Sequence, residues 1–144
     1  MRLAKLLSAA AVLVFAAVPA SAAQVEIGGA WFRALPAGLP AGGYFVLHNS
    51  GKADAELTGA QSPACGMVML HKSIEEGGMG RMVHVESVTV PAHGKVEFKP
   101  GGYHLMCMKP TAAMTPGKTV AVMLQFADGT QTVADFHVKS ATGK

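Results

Sequence analysis

"KTVAVMLQFAD", residues 118–128, alternates its side chains so that Val120, Val122, Leu124 and Phe126 share one face of an extended strand. Met123 falls on the opposite face, as a soft side chain at a partly covered surface. "KVEFK", residues 95–99, repeats the pattern with Val96 and Phe98. Outward from these, short runs rich in β-branched and aromatic residues recur between Gly, Pro, Asn and Asp. They are "VEIGGAWFRAL", "GGYFVLHN", "ELTGAQ", "GMVMLHKSI", "GRMVHVESVTV", "GKVEFKP", "YHLMCMK" and "QTVADFHVK". Seven or more such strands predict an all-β antiparallel sandwich or barrel. No stretch keeps a helical stripe. "TPGKT", residues 115–119, reads as a hairpin turn, because a phosphate-binding loop would need glycine where Ala112 stands.

The first residues, "MRLAKLLSAAAVLVFAAVPASAAQ", combine a basic start (Arg2, Lys5), an apolar run from Leu6 to Val18 and the small-residue end Ala20-Ser21-Ala22. The run is shorter than the roughly 20 residues that cross a bilayer, so it reads as a secretory leader, residues 1–22, with no stable membrane insertion. No cysteine stands at residues 20–24, where a lipoprotein would carry one. The expected mature chain, 23–144, is one domain, exported to a periplasm. Losing Arg2 and Lys5 leaves 10 lysines and arginines against 9 acidic residues, a net charge of about +1. So even a balance gives no reason to propose nucleic acid or anionic lipid as partner. Cys65 and Cys107 are the only cysteines, and an even pair in an exported chain suggests a disulfide. The alternative is a reduced pair near a soft metal.

Sulfur and imidazole side chains gather in two clusters. One holds Met67, Met69 and His71, with Met79 and Met82 following; the other holds His104, Met106 and Met108 around Cys107. Residues two apart on a strand point the same way, so His104 and Met106 face one volume, as do Met69 and His71. Methionine packs irregular cores well, which is the plain reading. Seven methionines between Met67 and Met114 and four histidines between His71 and His104 are more polar nitrogen and sulfur than a core buries without partners. Neutral thioethers and imidazoles suit monovalent copper, Cu(I), better than zinc, calcium or magnesium. Local reasoning does not choose Met82 over Met79 or exclude Met69.

His71, ten residues, Met82, twenty-one residues, then His104-Leu105-Met106 resembles the H-x10-M-x21-H-x-M signature of periplasmic copper chaperones of the PCu(A)C type. "ALPAGLPAGGYFVLHNSGKADAELTGAQSP", "MVMLHKS" and "VPAHGKVEFKPGGYHLMCM" are similar to that family too, so the resemblance runs from about Ala30 to Val133. It implies a cupredoxin-like Greek-key β-sandwich, a Cu(I) site of His71, Met82, His104 and Met106, and carriage of copper to respiratory oxidase centres. The implied partners are the copper-bearing oxidase subunit or another periplasmic copper chaperone, and the implied state is a monomer. Cys65 and Cys107 depart from the family's usual apolar or small residues. On a strand Cys107 points away from Met106, so a Cys65–Cys107 disulfide would brace the strands behind the site; a free thiolate entering the copper shell is the rival.

His84 and His93 read as surface histidines, with a supporting place beside the copper ligands or a weak Cu(II) site as the alternatives; His48 and His137 read as surface. Trp31 is expected in the core, with shielding of the Cu(I) site or a cation–π contact as the alternative, and Arg33 in solvent. Catalysis lacks material, since no nucleophile, base and orienting acid can be assembled. Rival functions are periplasmic copper storage or detoxification, a redox copper enzyme, and an adhesion sandwich whose methionines only pack.

Overall fold

The protein, described from a computed structural model over residues 24–144, is built almost wholly of strands. The expected leader lies outside the described residues. In chain order the strands are β1 (Val25–Arg33), β2 (Ala41–Asn49), β3 (Ala55–Gln61), β4 (Cys65–Glu76), β5 (Met79–His84), β6 (Val88–Val90), β7 (Lys95–Phe98), β8 (Tyr103–Pro110), β9 (Thr119–Phe126) and β10 (Gln131–Lys139). Among the described residues a single 3-10 turn, Pro36–Gly38, interrupts the β1–β2 connection.

Alternation decides the faces as expected. Along β9, Val120, Val122, Leu124 and Phe126 are buried while Thr119 and Ala121 are exposed. One predicted run divides. "GRMVHVESVTV" becomes β5, paired with β4, and β6, paired with β3. At the break the Val85 N–H donates to the Leu70 carbonyl (3.0 Å), and Val88 then starts a new ladder opposite Leu57.

That division shows why the molecule is layered. Strand order runs β5-β4-β8-β2-β1-β10-β9-β3-β6, with β7 paired to β2. β5 and β6 stand at opposite ends of this path, yet only residues 85–87 separate them in the chain. Such a link cannot cross a flat sheet, so the path folds back, bringing β3 against β4 and β6 against β7. The result is the cupredoxin-like β-sandwich. Phe32, Phe45, Leu57, Phe98, Leu105, Leu124 and Phe136 fill the space between the layers. Phe45 stacks on Phe98 with centroids 4.3 Å apart. β1 and β10 run parallel; the remaining pairs are antiparallel.

β2 is the hinge of the packing. Its first residues pair with β8 and its later ones with β7. Gly43, opposite Leu105, is needed there: a Cβ would lie 2.7 Å from Phe32 Cε1 and 3.1 Å from Leu105 Cβ. Asn49 closes the strand. Buried, it donates from Nδ2 to the Ala53 and Val90 carbonyls (2.9 and 3.1 Å) and accepts from the Gly51 N–H (2.9 Å), which fixes the Asn-x-Gly turn.

Candidate metal centre

Three neighbouring strands, β5, β4 and β8, put their soft side chains on one face. The β4–β8 register sets Met67 opposite Met108, Met69 opposite Met106 and His71 opposite His104. The β4–β5 register sets His71 opposite His84 and Ser73 opposite Met82. Because each row advances two residues, all these side chains share a side of the sheet. The other side carries Leu70, Leu105 and Cys107, all buried in the core.

His104 is the best-anchored member. It is 4% exposed, and its Nδ1 lies 3.1 Å from the Gly102 carbonyl. A carbonyl only accepts, so Nδ1 carries the hydrogen and Nε2 of the neutral ring presents a lone pair. That nitrogen stands 3.2 Å from Met82 Sδ. A thioether is also an acceptor, so in the Nδ1–H form of the neutral ring the two lone pairs face each other across this gap. A soft cation resolves such a contact by binding both.

His71 occupies the middle strand, with the His104 ring 5.7 Å away on one side and the His84 ring 6.1 Å away on the other. Its Nδ1 is buried without a hydrogen-bond partner. Burial first, and then the charges of His104 and His84, lower its pKa from the ordinary 6.5, so the ring holds its neutral, ligating form further into acid. Met106 joins His71 and Met82 in an apolar depression whose other walls are Leu35, Leu39, Pro40 and Met108. The donor set therefore fits a neutral-ligand soft-metal site open to solvent. Met82 is 58% exposed, and no carboxylate lines the depression.

The structure thus brings His71, Met82, His104 and Met106 onto one face. Met79, 75% exposed opposite Glu76 near the β4–β5 turn, stands apart from them. Met69 shares the face, opposite Met106. Cys65 and Cys107 are disulfide-bonded, with Cα atoms 5.3 Å apart, and Cys107 is wholly buried. The bridge keeps both sulfurs out of any copper shell.

Two sequence expectations change. Arg33 is not a solvated surface residue: its guanidinium lies 5.5 Å from the Trp31 ring centroid and 5.6 Å from that of Tyr44, with Nε buried. Trp31 is half-buried rather than in the core, between Tyr44 (4.8 Å) and the Lys139 ammonium (4.8 Å). This array reaches the site through Tyr44, whose ring is 6.5 Å from that of His104. His84, read as a surface histidine, is exposed but stands beside His71. Sequence reasoning also missed Leu35 and Leu39; the available signal was "LPAGLP", two leucines flanked by prolines and held outward by the 3-10 turn.

Residues 25–138 match the LpqE-like family model. Lxx21020 of Leifsonia xyli subsp. xyli (strain CTCB07), named as a lipoprotein, is 30% identical over 120 residues, covering 83% of this chain and 72% of that protein. Among solved structures, the Cu(I) form of DR1885 from Deinococcus radiodurans superposes with a TM-score of 0.66 at 30% identity, over 83% of this chain and 81% of that one. The copper-bound PCuAC domain from PmoF2 shares the fold, with a TM-score of 0.69 at 20% identity over 84% of this chain and 97% of that one. A family match across most of the chain means that the chain belongs to the LpqE-like family.

Proposed function

We propose that this protein is an exported Cu(I) carrier that holds one copper ion between His71, Met82, His104 and Met106 and delivers it to a copper-bearing subunit of a respiratory oxidase or to another periplasmic copper chaperone. The observation that carries the reading is the approach of His104 Nε2 to Met82 Sδ, two lone-pair donors at 3.2 Å with the His104 tautomer fixed by Gly102. The likeness to a solved Cu(I) form and a copper-bound domain supports the same cargo. Export is supported by the leader-like start of the sequence and by a relative named as a lipoprotein.

The chemistry favours carriage over turnover. Two thioethers and two imidazoles add no charge, so the site prefers the monovalent ion and resists the cycling between valences that a redox enzyme needs. Partial exposure of Met82 allows an acceptor's ligand to enter before the last carrier ligand leaves, so the ion need not pass bare through water. Storage would use the same ligands but would not need that open edge.

Anaerobic Cu(I) titration against a competing chelator, with X-ray absorption on the loaded protein, tests the reading. One tightly held ion with mixed nitrogen and sulfur scatterers is expected. Unchanged affinity in both His71→Ala and Met106→Leu would overturn it. Delivery is tested separately by mixing the loaded protein with the isolated copper-binding domain of an oxidase subunit. Copper that stays with the carrier would favour storage.

A further inference from the structure

Three thioethers on the site face have no part in the ligand set above. Met67 and Met69 on β4 and Met108 on β8 share the face of His71 and His104. The register arranges them in rows, Met67 opposite Met108 and then Met69 opposite Met106. Directly opposed residues hold their Cβ atoms about 4.5–5.5 Å apart, and diagonal neighbours about 7–8 Å apart. An unbranched methionine with three rotatable bonds spans either gap, so the sulfurs of residues 67, 69 and 108 are able to close on one point.

Core packing does not account for them. Met67 is 59% exposed and Met69 and Met108 are half-buried, while the core on the other side is filled by Leu70, Leu105 and Cys107. Met67, a long apolar side chain left in water, gains little from the hydrophobic effect, so packing alone gives no reason for a thioether at that position. Three neutral sulfurs with no nitrogen or carboxylate among them narrow the ligand: they suit Cu(I) or Ag(I) and offer nothing to a hard divalent ion.

We propose that Met67, Met69 and Met108 form a second, thioether-only station for a monovalent soft metal ion, one cross-strand row from Met106. Its purpose rests on the copper-carrier reading, since an ion held there needs only to exchange one thioether for Met106 to enter the histidine-bearing site. Two residues along a strand is about 7 Å, short enough for methionine side chains to bridge without backbone movement.

The test is anaerobic titration of the purified protein with Cu(I) and, separately, Ag(I), with X-ray absorption at one and two equivalents. Two equivalents are expected, the second seeing only sulfur. Met67→Leu with Met69→Leu, which keeps the apolar bulk at two positions that do not line the first site's depression, should remove the second and leave the first. Exposed Met67 changed alone to leucine should weaken the second on the order of tenfold, and serves if the double variant does not fold. His71→Gln with His104→Gln should leave a single all-sulfur ion. A wild type that binds one ion with mixed scatterers and no second overturns the station and leaves the carrier reading intact. A single all-sulfur ion in the wild type overturns the histidine-bearing site and keeps the station. A second equivalent unaffected by the methionine variants overturns the assignment to these residues.

Discussion

His104 Nε2 and Met82 Sδ stand 3.2 Å apart although they come from β8 and β5, strands that do not pair with each other. β4 lies between them, and Met82 reaches past it, from opposite Ser73, to meet the histidine. The contact therefore depends on one long, unbranched side chain in one row of the ladder.

That dependence separates two methionines the sequence could not rank. Met82→Leu removes a sulfur aimed at His104 while preserving apolar volume, and Cu(I) affinity should fall by tenfold or more, about 1.4 kcal/mol for each factor of ten. Met79→Leu, at an exposed position opposite Glu76, should leave affinity unchanged. Parallel chelator competitions check both, and equal losses would mean that a different sulfur faces the ion.

The histidine row makes the metal-free protein sensitive to acid. His71 has a folded-state pKa below its ordinary 6.5 through burial and then through His104 and His84. Between 6.5 and that lower value the unfolded chain binds a proton that the folded chain refuses, so stability rises with pH across this window. The contribution is complete above 6.5 and is lost as pH falls toward the folded value. Urea midpoints of the metal-free protein from pH 7.5 to 5 should decline in the wild type and decline less in His71→Gln. Identical slopes would show that His71 is not the group responsible.

The disulfide joins residues 42 apart, bracing β4 and β8 from the core side of the site. Chain-entropy reasoning assigns a loop of that length about 4 kcal/mol. Cys65→Ala with Cys107→Ala should lower the melting temperature by roughly 10–20 °C and leave copper stoichiometry unchanged, because the sulfurs do not reach the ligand face. Calorimetry with a copper titration on the same variant checks both halves, and a loss of copper at a temperature where the variant is folded would place the bridge in the site.

Period-two alternation was enough to read β9 and to place His104 with Met106, because burial on one face of a strand leaves a mark at every second residue. It was not enough to see β5 and β6 as two strands: "GRMVHVESVTV" contains no glycine or proline at the break, and only pairing with β4 and β3 at opposite ends of the sheet path divides it. The convergence of Met82 on His104 was legible only through resemblance to a spaced motif, since residues on strands two apart leave no local trace. Arg33 was misread for a related reason. A charged residue usually signals solvent, and the rings that cover this one come from β1 and β2 only after their hairpin has formed.

Arg33 gives the last prediction. Its guanidinium is shared between Trp31 and Tyr44, and Tyr44 in turn sits over Gly42, where a Cβ would fall 2.7 Å from the tyrosine oxygen. Gly42 pairs with Met106, so the array props the strand that backs a proposed copper ligand. A partly desolvated cation between two rings contributes about 1–2 kcal/mol, and Arg33→Ala also removes the packing of its stem. The variant should lose about 1–3 kcal/mol of unfolding free energy with Trp31 fluorescence shifted by greater exposure. Arg33→Lys should recover part of the loss, because a compact ammonium keeps the charge but not the planar stacking. Urea unfolding followed by tryptophan emission measures both. An alanine variant as stable as the wild type would mean that the two rings hold their positions without the cation.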